Sequence, residues 1–290
     1  MPNCTFLTIA NRDGWFIDDD LVHAPLRRLG WEIDDVAWDA NVDWNAYDVV
    51  VIRSPWDYQR DPERFISALQ RIEDSSATLY NSLAMVKWNI DKNYLFYLQG
   101  KGIEIVPSLR AQTLALGDVQ IMFQHFATDK IVLKPMLGAN ADDTFRIHRD
   151  TAEAELREIC EIFSTKRCLA QPFMHNIMTE GEFSLIYLDG RLSHSIIKTV
   201  GKDNFYVQEE HGGGVVPLSE PESGLVAAAD KTISVLPETP MYARIDFVRT
   251  EHNHFALMEL ELIEPCLYFR FGEHAAMDFA KAIDSRYRCT

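Results

Sequence analysis

The strongest structural signal in this sequence lies near the C-terminus, where two segments of alternating apolar residues flank the polar stretch 250–253. This pattern predicts a β-hairpin. Asp246 falls on its first strand, while Glu259 and Glu261, two residues apart on the second strand, share one face of the sheet. Carboxylates on neighbouring strands repel one another unless a cation lies between them, and oxygen ligands suit Mg²⁺. We therefore expect a metal site formed by these three residues. The alternative is a solvated acidic strand face.

Composition indicates a globular protein with an acidic surface. The chain has 290 residues, is 47% apolar, and carries a formal net charge of −16, which disfavours nucleic acid and anionic membranes as partners. The five cysteines form no Cys-x-x-Cys pair, which favours reduced thiols. With neither a signal-peptide pattern nor an apolar run of the roughly 20 residues that span a bilayer, we expect a cytoplasmic protein. The sequence does not indicate an oligomeric state.

The order of the predicted elements indicates a mixed architecture. Strands at 4–10, 31–38 and 49–53 alternate with helices at 18–29 and 62–73. This alternation predicts a small doubly wound α/β domain over residues 1–85. Further along, strands and helices no longer alternate regularly, which favours α+β layers. We expect a second domain over 86–290, divided into a small subdomain at 86–172 and a large subdomain at 173–290.

Two lysines are candidates for binding phosphate groups. Lys92 stands at the start of a predicted helix, where a cation opposes the helix dipole. Lys134 ends an apolar strand, and a buried lysine there is unfavourable unless it meets an anion. The loop that follows, 136–143, is composed mainly of small residues, so its backbone N–H groups could approach a triphosphate closely. The alternatives are an ordinary exposed lysine and a surface hairpin.

Two further segments could bind the remainder of a nucleotide. A predicted strand ends at Pro172, so that Gln171 could offer backbone groups to an adenine edge, with Phe173 and Met174 as apolar walls. Glu182 opens the next strand and could accept hydrogen bonds from both hydroxyl groups of a ribose. The alternatives are an ordinary strand end and an exposed strand residue.

A third motif, Arg53-Ser54-Pro55-Trp56-Asp57, follows a predicted parallel strand, at the edge where ligands bind in open α/β sheets. Arg53 could pair with a substrate carboxylate and Asp57 with the substrate amino group, and Ser54 and Trp56 are further candidate contacts. The alternative is that Arg53 and Asp57 pair with each other and hold the loop. Segments 200–204 and 210–214 have the composition of lids or of plain hairpin turns.

Taken in chain order, these motifs resemble the ATP-grasp superfamily of carboxylate–amine ligases. The resemblance implies an ATP-grasp fold that binds ATP and two Mg²⁺ ions, with Mn²⁺ as a substitute. The implied phosphate and nucleotide contacts are Lys92, Lys134, Gln171, Phe173, Met174 and Glu182. The implied metal ligands are Asp246, Glu259 and Glu261, the last standing where an asparagine is usual.

A narrower resemblance extends along the whole chain. Motifs at 51–58, 88–92, 181–184, 193–198, 207–213 and 259–265 are similar to the group that includes the O-ureidoserine cyclo-ligase of cycloserine biosynthesis. The resemblance implies activation of a small amino-acid-like carboxylate as an acyl phosphate in amino-acid or secondary metabolism, with Arg244 and Lys198 as catalytic cations. An amine-type nucleophile then attacks, either within the same molecule or from a second one. The group leads us to expect an arginine where this chain has Tyr206.

Three alternatives to a cyclo-ligase stay open from the sequence. The chain could join two amino acids, it could release a phosphorylated product, or it could bind ATP without catalysis. The presence of both lysines and all three carboxylates argues against the last of these.

Overall fold

The computed structural model describes residues 1–138, 141–201 and 212–289. These residues form three β-sheets, and each sheet falls within one of the segments 1–85, 86–172 and 173–290. The domain boundaries themselves stay a prediction. Among the helices of the described residues, none combines the length and apolar character needed to cross a bilayer.

The first sheet is parallel, with strand order β2-β1-β3-β4. Its strands are β1 (Asn3–Thr8), β2 (Glu32–Ala37), β3 (Val49–Ser54) and β4 (Thr78–Tyr80). The accompanying helices are α1 (His23–Arg28), α2 (Pro62–Glu73) and α3 (Leu83–Asn89). Alternate residues of β3 face opposite ways, so that Val50 packs towards α2 and α3 while Val51 packs towards α1. Helices on both faces confirm the predicted doubly wound architecture.

Local sequence signals explain where these helices begin and end. Helix α2 has the predicted bounds, because Asp61 caps the backbone N–H of Arg64 and Pro62 occupies the first turn. The predicted helix 18–29 is instead a 3₁₀ turn followed by the shorter α1. Gly30 then adopts a φ of 89°, which favours glycine and ends the helix.

The second sheet is antiparallel, with strand order β5-β8-β6-β7. Its strands are β5 (Leu109–Ala111), β6 (Lys130–Pro135), β7 (Phe145–His148) and β8 (Cys168–Pro172). Helices in this part of the chain are α4 (Asn93–Gly100), α5 (Leu116–Phe126) and α6 (Glu153–Ile162). Ile131 and Leu133 of β6 are buried against α5 and α6. Lys134 therefore points to the opposite face of the sheet, which faces a cleft.

The third sheet, also antiparallel, has strand order β11-β10-β9-β12-β13. Its strands are β9 (Glu182–Leu188), β10 (Arg191–Thr199), β11 (Gly214–Pro217), β12 (Tyr242–Arg249) and β13 (Phe255–Glu261). Helix α7 (Ser223–Ser234) packs on one face of it. Helix α8 (Ala275–Cys289) packs on the other face, next to the first sheet. The predicted hairpin is confirmed as β12 and β13, whereas the predicted strand at 205–209 lies outside the described residues.

Candidate active site

A cleft with a cavity volume of about 250 Å³ lies where the three sheets meet. All predicted nucleotide, metal and catalytic residues line it, and so does Trp56. These residues are Lys92, Lys134, Gln171, Phe173, Met174, Glu182, Lys198, Arg244, Asp246, Glu259 and Glu261. Their roles stay predictions, but the fold brings them together from segments that are far apart in the chain.

The register of the third sheet explains why its polar residues meet. Asp246 of β12 lies opposite Glu259 of β13, and Arg244 lies opposite Glu261. On β9 and β10, Glu182 lies opposite its partner Lys198. Side chains that are directly opposite, or two residues apart, share a face of the sheet. One face therefore carries four carboxylates and two cations at its end, where the apolar packing against α8 gives way to the cleft.

Asp246 lies at the centre of this array. It accepts from Arg244 Nη2 at 3.0 Å, from Lys198 Nζ at 3.2 Å and from the Ser184 hydroxyl at 2.6 Å. Lys198 also pairs with Glu182, and Arg244 also pairs with Glu261. The positive charge that three adjacent carboxylates require is therefore supplied in this structure by the protein's own side chains.

The neighbouring charges and burial give these carboxyl groups different pKa values. Burial would raise the pKa of Asp246, but Arg244 and Lys198 outweigh it and hold the pKa well below its usual range. Burial also opposes ionisation of Glu259, but the nearby lysines, Lys92 foremost, leave its pKa lowered. For Glu261, burial prevails over Arg244 and raises the pKa to about 7. A divalent cation beside Glu261 would favour its ionised form.

The donor set suits Mg²⁺, but its arrangement is not that of a closed metal site. The side chains of Glu259 and Glu261 are 31% and 29% exposed, so both can reach a ligand in the cleft, whereas Asp246 is 3% exposed. Within the described ranges, three donor atoms within 4.8 Å of one another occur only at Asp20, His23 and Asp35. Coordination by the hairpin carboxylates therefore requires Arg244 and Lys92 to loosen their ion pairs.

The two candidate phosphate lysines differ in their surroundings. Lys92 precedes α4, and its Nζ lies 3.2 Å from Glu259 Oε1 and donates to the Gly138 carbonyl at 3.0 Å. A Cβ at Gly138 would meet the Pro135 ring at 2.6 Å, so the close turn after β6 requires glycine. Lys134 has no hydrogen-bond or ion-pair partner among the residues that the structure describes. Burial lowers its pKa, as expected for a cation without a close counter-ion.

The opposite end of the cleft is apolar. The Gln171 side chain donates to the Ser108 hydroxyl at 2.9 Å, and the residue is 4% exposed, so its amide group is occupied within the protein. Phe173 is buried at the cleft wall. Sequence reasoning missed other apolar lining residues, which are Val106, Ile177 and Met258. The ladder shifts register between Asp246 and Phe247, and this irregularity lies beside Met258, a feature that hydrophobic alternation does not reveal.

Three predicted substrate residues do not line the cleft. Arg53 is fully buried, where its Nε donates to Asp19 Oδ1 at 3.0 Å. Asp57 accepts from Trp38 Nε1 at 2.6 Å, so the alternative that Arg53 and Asp57 pair with each other is wrong. Ser54 is also fully buried. Side chains at the end of β3 and directly after it therefore serve mainly to hold neighbouring segments in place.

One such segment comprises residues 260–268, which are the end of β13 and the chain directly after it. This segment enters the cleft. Its backbone carbonyl groups are held by side chains from several other elements. Contacts of this kind come from Asn89, Asn81, Tyr242, Trp56, Arg53, Arg244 and His194. The segment brings Glu264, Cys266 and Tyr268 into the cleft lining, where sequence reasoning had not placed them. Glu264 and Pro265 belong to a motif that was already similar to the cyclo-ligase group, and this was the available signal.

Burial affects Glu264 as well. Desolvation, together with the nearby charge of Glu261, raises its pKa to about 8, although hydrogen bonding with Tyr58 opposes the shift. Tyr206 and parts of both candidate lid segments, 202–204 and 210–211, lie outside the described residues.

Comparison with known structures identifies the architecture as the ATP-grasp fold. The crystal structure of D-cycloserine synthetase DcsG matches with a TM-score of 0.87 and 24% identity, covering 98% of this chain and 99% of that one. The ATP-grasp ligase PsnB, solved with a minimal precursor, Mg and ADP, matches with a TM-score of 0.66 and 12% identity, covering 99% and 98%.

Sequence comparison points to a particular group within this fold. Residues 4–81 match the family model of the D-cycloserine synthetase DcsG N-terminal domain. The chain is 27% identical to the cycloserine biosynthesis protein DcsG of Streptomyces lavendulae over 279 residues, which is 90% of this chain and 91% of the relative. The predicted ATP-grasp fold and the predicted resemblance to the cyclo-ligase group are both confirmed.

Proposed function

We propose that this protein is an ATP-dependent ligase that activates an amino-acid-like carboxylate as an acyl phosphate. The observation that carries the proposal is the arrangement of charges in the cleft. Lys92 and Lys134 approach it from one side, and the hairpin carboxylates with Arg244 lie on the other. Similarity to DcsG and to ATP-grasp ligases supports the same class of reaction.

In this proposal the two ends of the cleft bind different parts of ATP. Phe173 and Met174 enclose the adenine, Glu182 accepts the ribose hydroxyls, and Lys92 and Lys134 contact the phosphates. The PsnB complex with Mg and ADP supports a magnesium-dependent, ADP-forming reaction.

The metal ligands in this proposal are Asp246, Glu259 and Glu261, whose carboxylate oxygens suit Mg²⁺. When bound, Mg²⁺ neutralises charge on the phosphoryl group that is transferred. With the carboxylates holding Mg²⁺, Lys92 and Arg244 would be available to contact the phosphates and the acid.

The chemistry follows from the low reactivity of a carboxylate. A carboxylate oxygen attacks the terminal phosphorus of ATP, the bond to ADP breaks, and an acyl phosphate forms. An amine then attacks the carbonyl carbon, and phosphate leaves with the former carboxylate oxygen. In this proposal Arg244 stabilises the negative oxygen of the tetrahedral intermediate, and Lys198, which pairs with Asp246, keeps that carboxylate in position.

Hydroxylamine provides the test, because it intercepts an acyl phosphate as a hydroxamate. ADP release and hydroxamate formation should occur together across a panel of amino-acid-like acids, and both should be lost in Glu259→Gln. ADP release without hydroxamate from every accepted acid would refute carboxylate activation. Tyr206, in place of an expected arginine, predicts that O-ureidoserine is a poor substrate. Isotopic labelling of the product distinguishes ring closure from the joining of two molecules.

A further inference from the structure

Glu264 differs from Glu182, Glu259 and Glu261 because it has no counter-ion among the residues that the structure describes. Glu182 pairs with Lys198, Glu259 pairs with Lys92, and Glu261 pairs with Arg244. Within the described parts of the chain, no lysine, arginine or histidine lies within ion-pair distance of Glu264. A carboxylate removed from bulk water is disfavoured unless it is paired, so a cationic ligand would complete this site.

The backbone at Glu264 is held firmly from the first sheet. Trp56 Nε1 donates to the Glu264 carbonyl at 2.9 Å, and Arg53 Nη2 donates to the next carbonyl, that of Pro265, at 2.8 Å. Arg53 is itself anchored by Asp19. Such support is expected of a residue whose side chain must meet a ligand in a defined position.

The surroundings of Glu264 also favour a cation. Trp15, Trp56 and Tyr58 line this end of the cleft, and the two indole rings lie 5.3 Å apart at an angle of 52°. Aromatic faces attract ammonium groups through their quadrupole. Arg244 donates to the carbonyl of Cys266, two residues beyond Glu264, at 3.3 Å. A site for an ammonium group and the proposed carboxylate-activating cation therefore lie next to each other, as the two ends of an amino acid require.

We propose that Glu264 binds the ammonium group of the acid substrate, so that the cleft selects amino acids over carboxylic acids that lack an amino group. This inference rests on the proposed function, because it assumes that the carboxylate lies at Arg244. Neither the motif that contains Glu264 nor the similarity to known proteins assigns a role to this residue.

The test compares matched pairs of acids in the ADP-release assay. Serine is paired with 3-hydroxypropanoate and phenylalanine with 3-phenylpropanoate, with both enantiomers of each amino acid. We expect the wild-type protein to prefer the amino acid. Glu264→Gln should raise KM for the amino acid about tenfold or more, the effect of losing one charge-assisted hydrogen bond, and should leave KM for its partner unchanged. Glu264→Asp, which retains the charge, should restore part of the discrimination.

Two controls keep the result interpretable. Glu251→Gln removes an exposed carboxylate from the turn between β12 and β13 and should change KM for neither the amino acid nor its partner acid. Thermal unfolding checks that the isosteric Glu264→Gln variant folds. If Glu264→Gln raises KM equally for both acids of a pair, or raises the Mg²⁺ concentration that both reactions need, Glu264 does not bind the ammonium group and the inference is overturned. If no acid stimulates ADP release in the wild-type protein, the proposed function fails, and the inference fails with it.

Discussion

Replacing Lys134 by methionine separates the function of this residue from any contribution to folding. Methionine retains an unbranched apolar side chain of similar length but removes the charge. Lys134 has no ion-pair partner among the described residues, and burial lowers its pKa, so the folded protein disfavours this cation when no ligand is present. We therefore expect the free energy of unfolding without ATP to stay the same or to rise.

With ATP present the expected effect has the opposite sign. A hydrogen bond between the lysine and an ionised phosphate contributes at least ~1.5 kcal/mol, so its loss should weaken ATP binding about 12-fold. At an ATP concentration about 100 times the wild-type Kd, ligand binding stabilises the wild-type protein by about 2.7 kcal/mol. The same relation leaves about 1.3 kcal/mol for Lys134→Met, so roughly half of the stabilisation by ATP should be lost.

Isothermal titration calorimetry with Mg²⁺ and a non-hydrolysable ATP analogue measures the first quantity, and denaturant unfolding with and without that analogue measures the second. Lys130→Met is the matched control, because Lys130 lies at the other end of β6 and does not line the cleft. Unchanged affinity in Lys134→Met would remove Lys134 from the nucleotide site. A marked fall in the free energy of unfolding without the analogue would show that the Lys134 cation makes a stabilising contact in the folded protein.

Three further substitutions test neighbouring parts of the site. Glu259→Gln should abolish Mg²⁺-dependent ADP release with little change in melting temperature, and near-normal release would contradict its assignment as a metal ligand. Arg53→Met should lower the free energy of unfolding in urea by about 3 kcal/mol, because the Asp19 carboxylate is left buried without its partner, and a loss below ~1 kcal/mol would argue against this pair. Ser184→Ala removes the 2.6 Å hydrogen bond to Asp246 and should cost about 1.5 kcal/mol in the same assay, whereas an unchanged midpoint would show that the bond contributes nothing.

Elements with strong local signals were predicted well. The hairpin of β12 and β13 follows from alternation of apolar residues around a polar turn, and the bounds of α2 follow from Asp61 and Pro62. Elements without such signals were missed. Strand β4 has three residues, and Ala115, which precedes α5, offers no side-chain cap.

The candidate site shows the same division between local and distant information. Sequence order and residue type were enough to select the nucleotide, metal and catalytic candidates, which all line the cleft. They did not predict that Arg53 pairs with Asp19, because the two are 34 positions apart and meet only when the first sheet is assembled. They also did not place Glu264 in the cleft, which depends on contacts from several other elements.

The sequence by itself therefore determined which side chains are available and which of them share a face, because the two-residue period of a strand is set by local backbone geometry. Only the tertiary structure decided which charges meet. Asp246 could have faced solvent, a metal or a cation, and the packing of β9, β10, β12 and β13 places it against Arg244 and Lys198. Two charged groups form an ion pair only when they are close in space. That distance depends on how the sheets pack together, and a local sequence pattern carries no information about this packing.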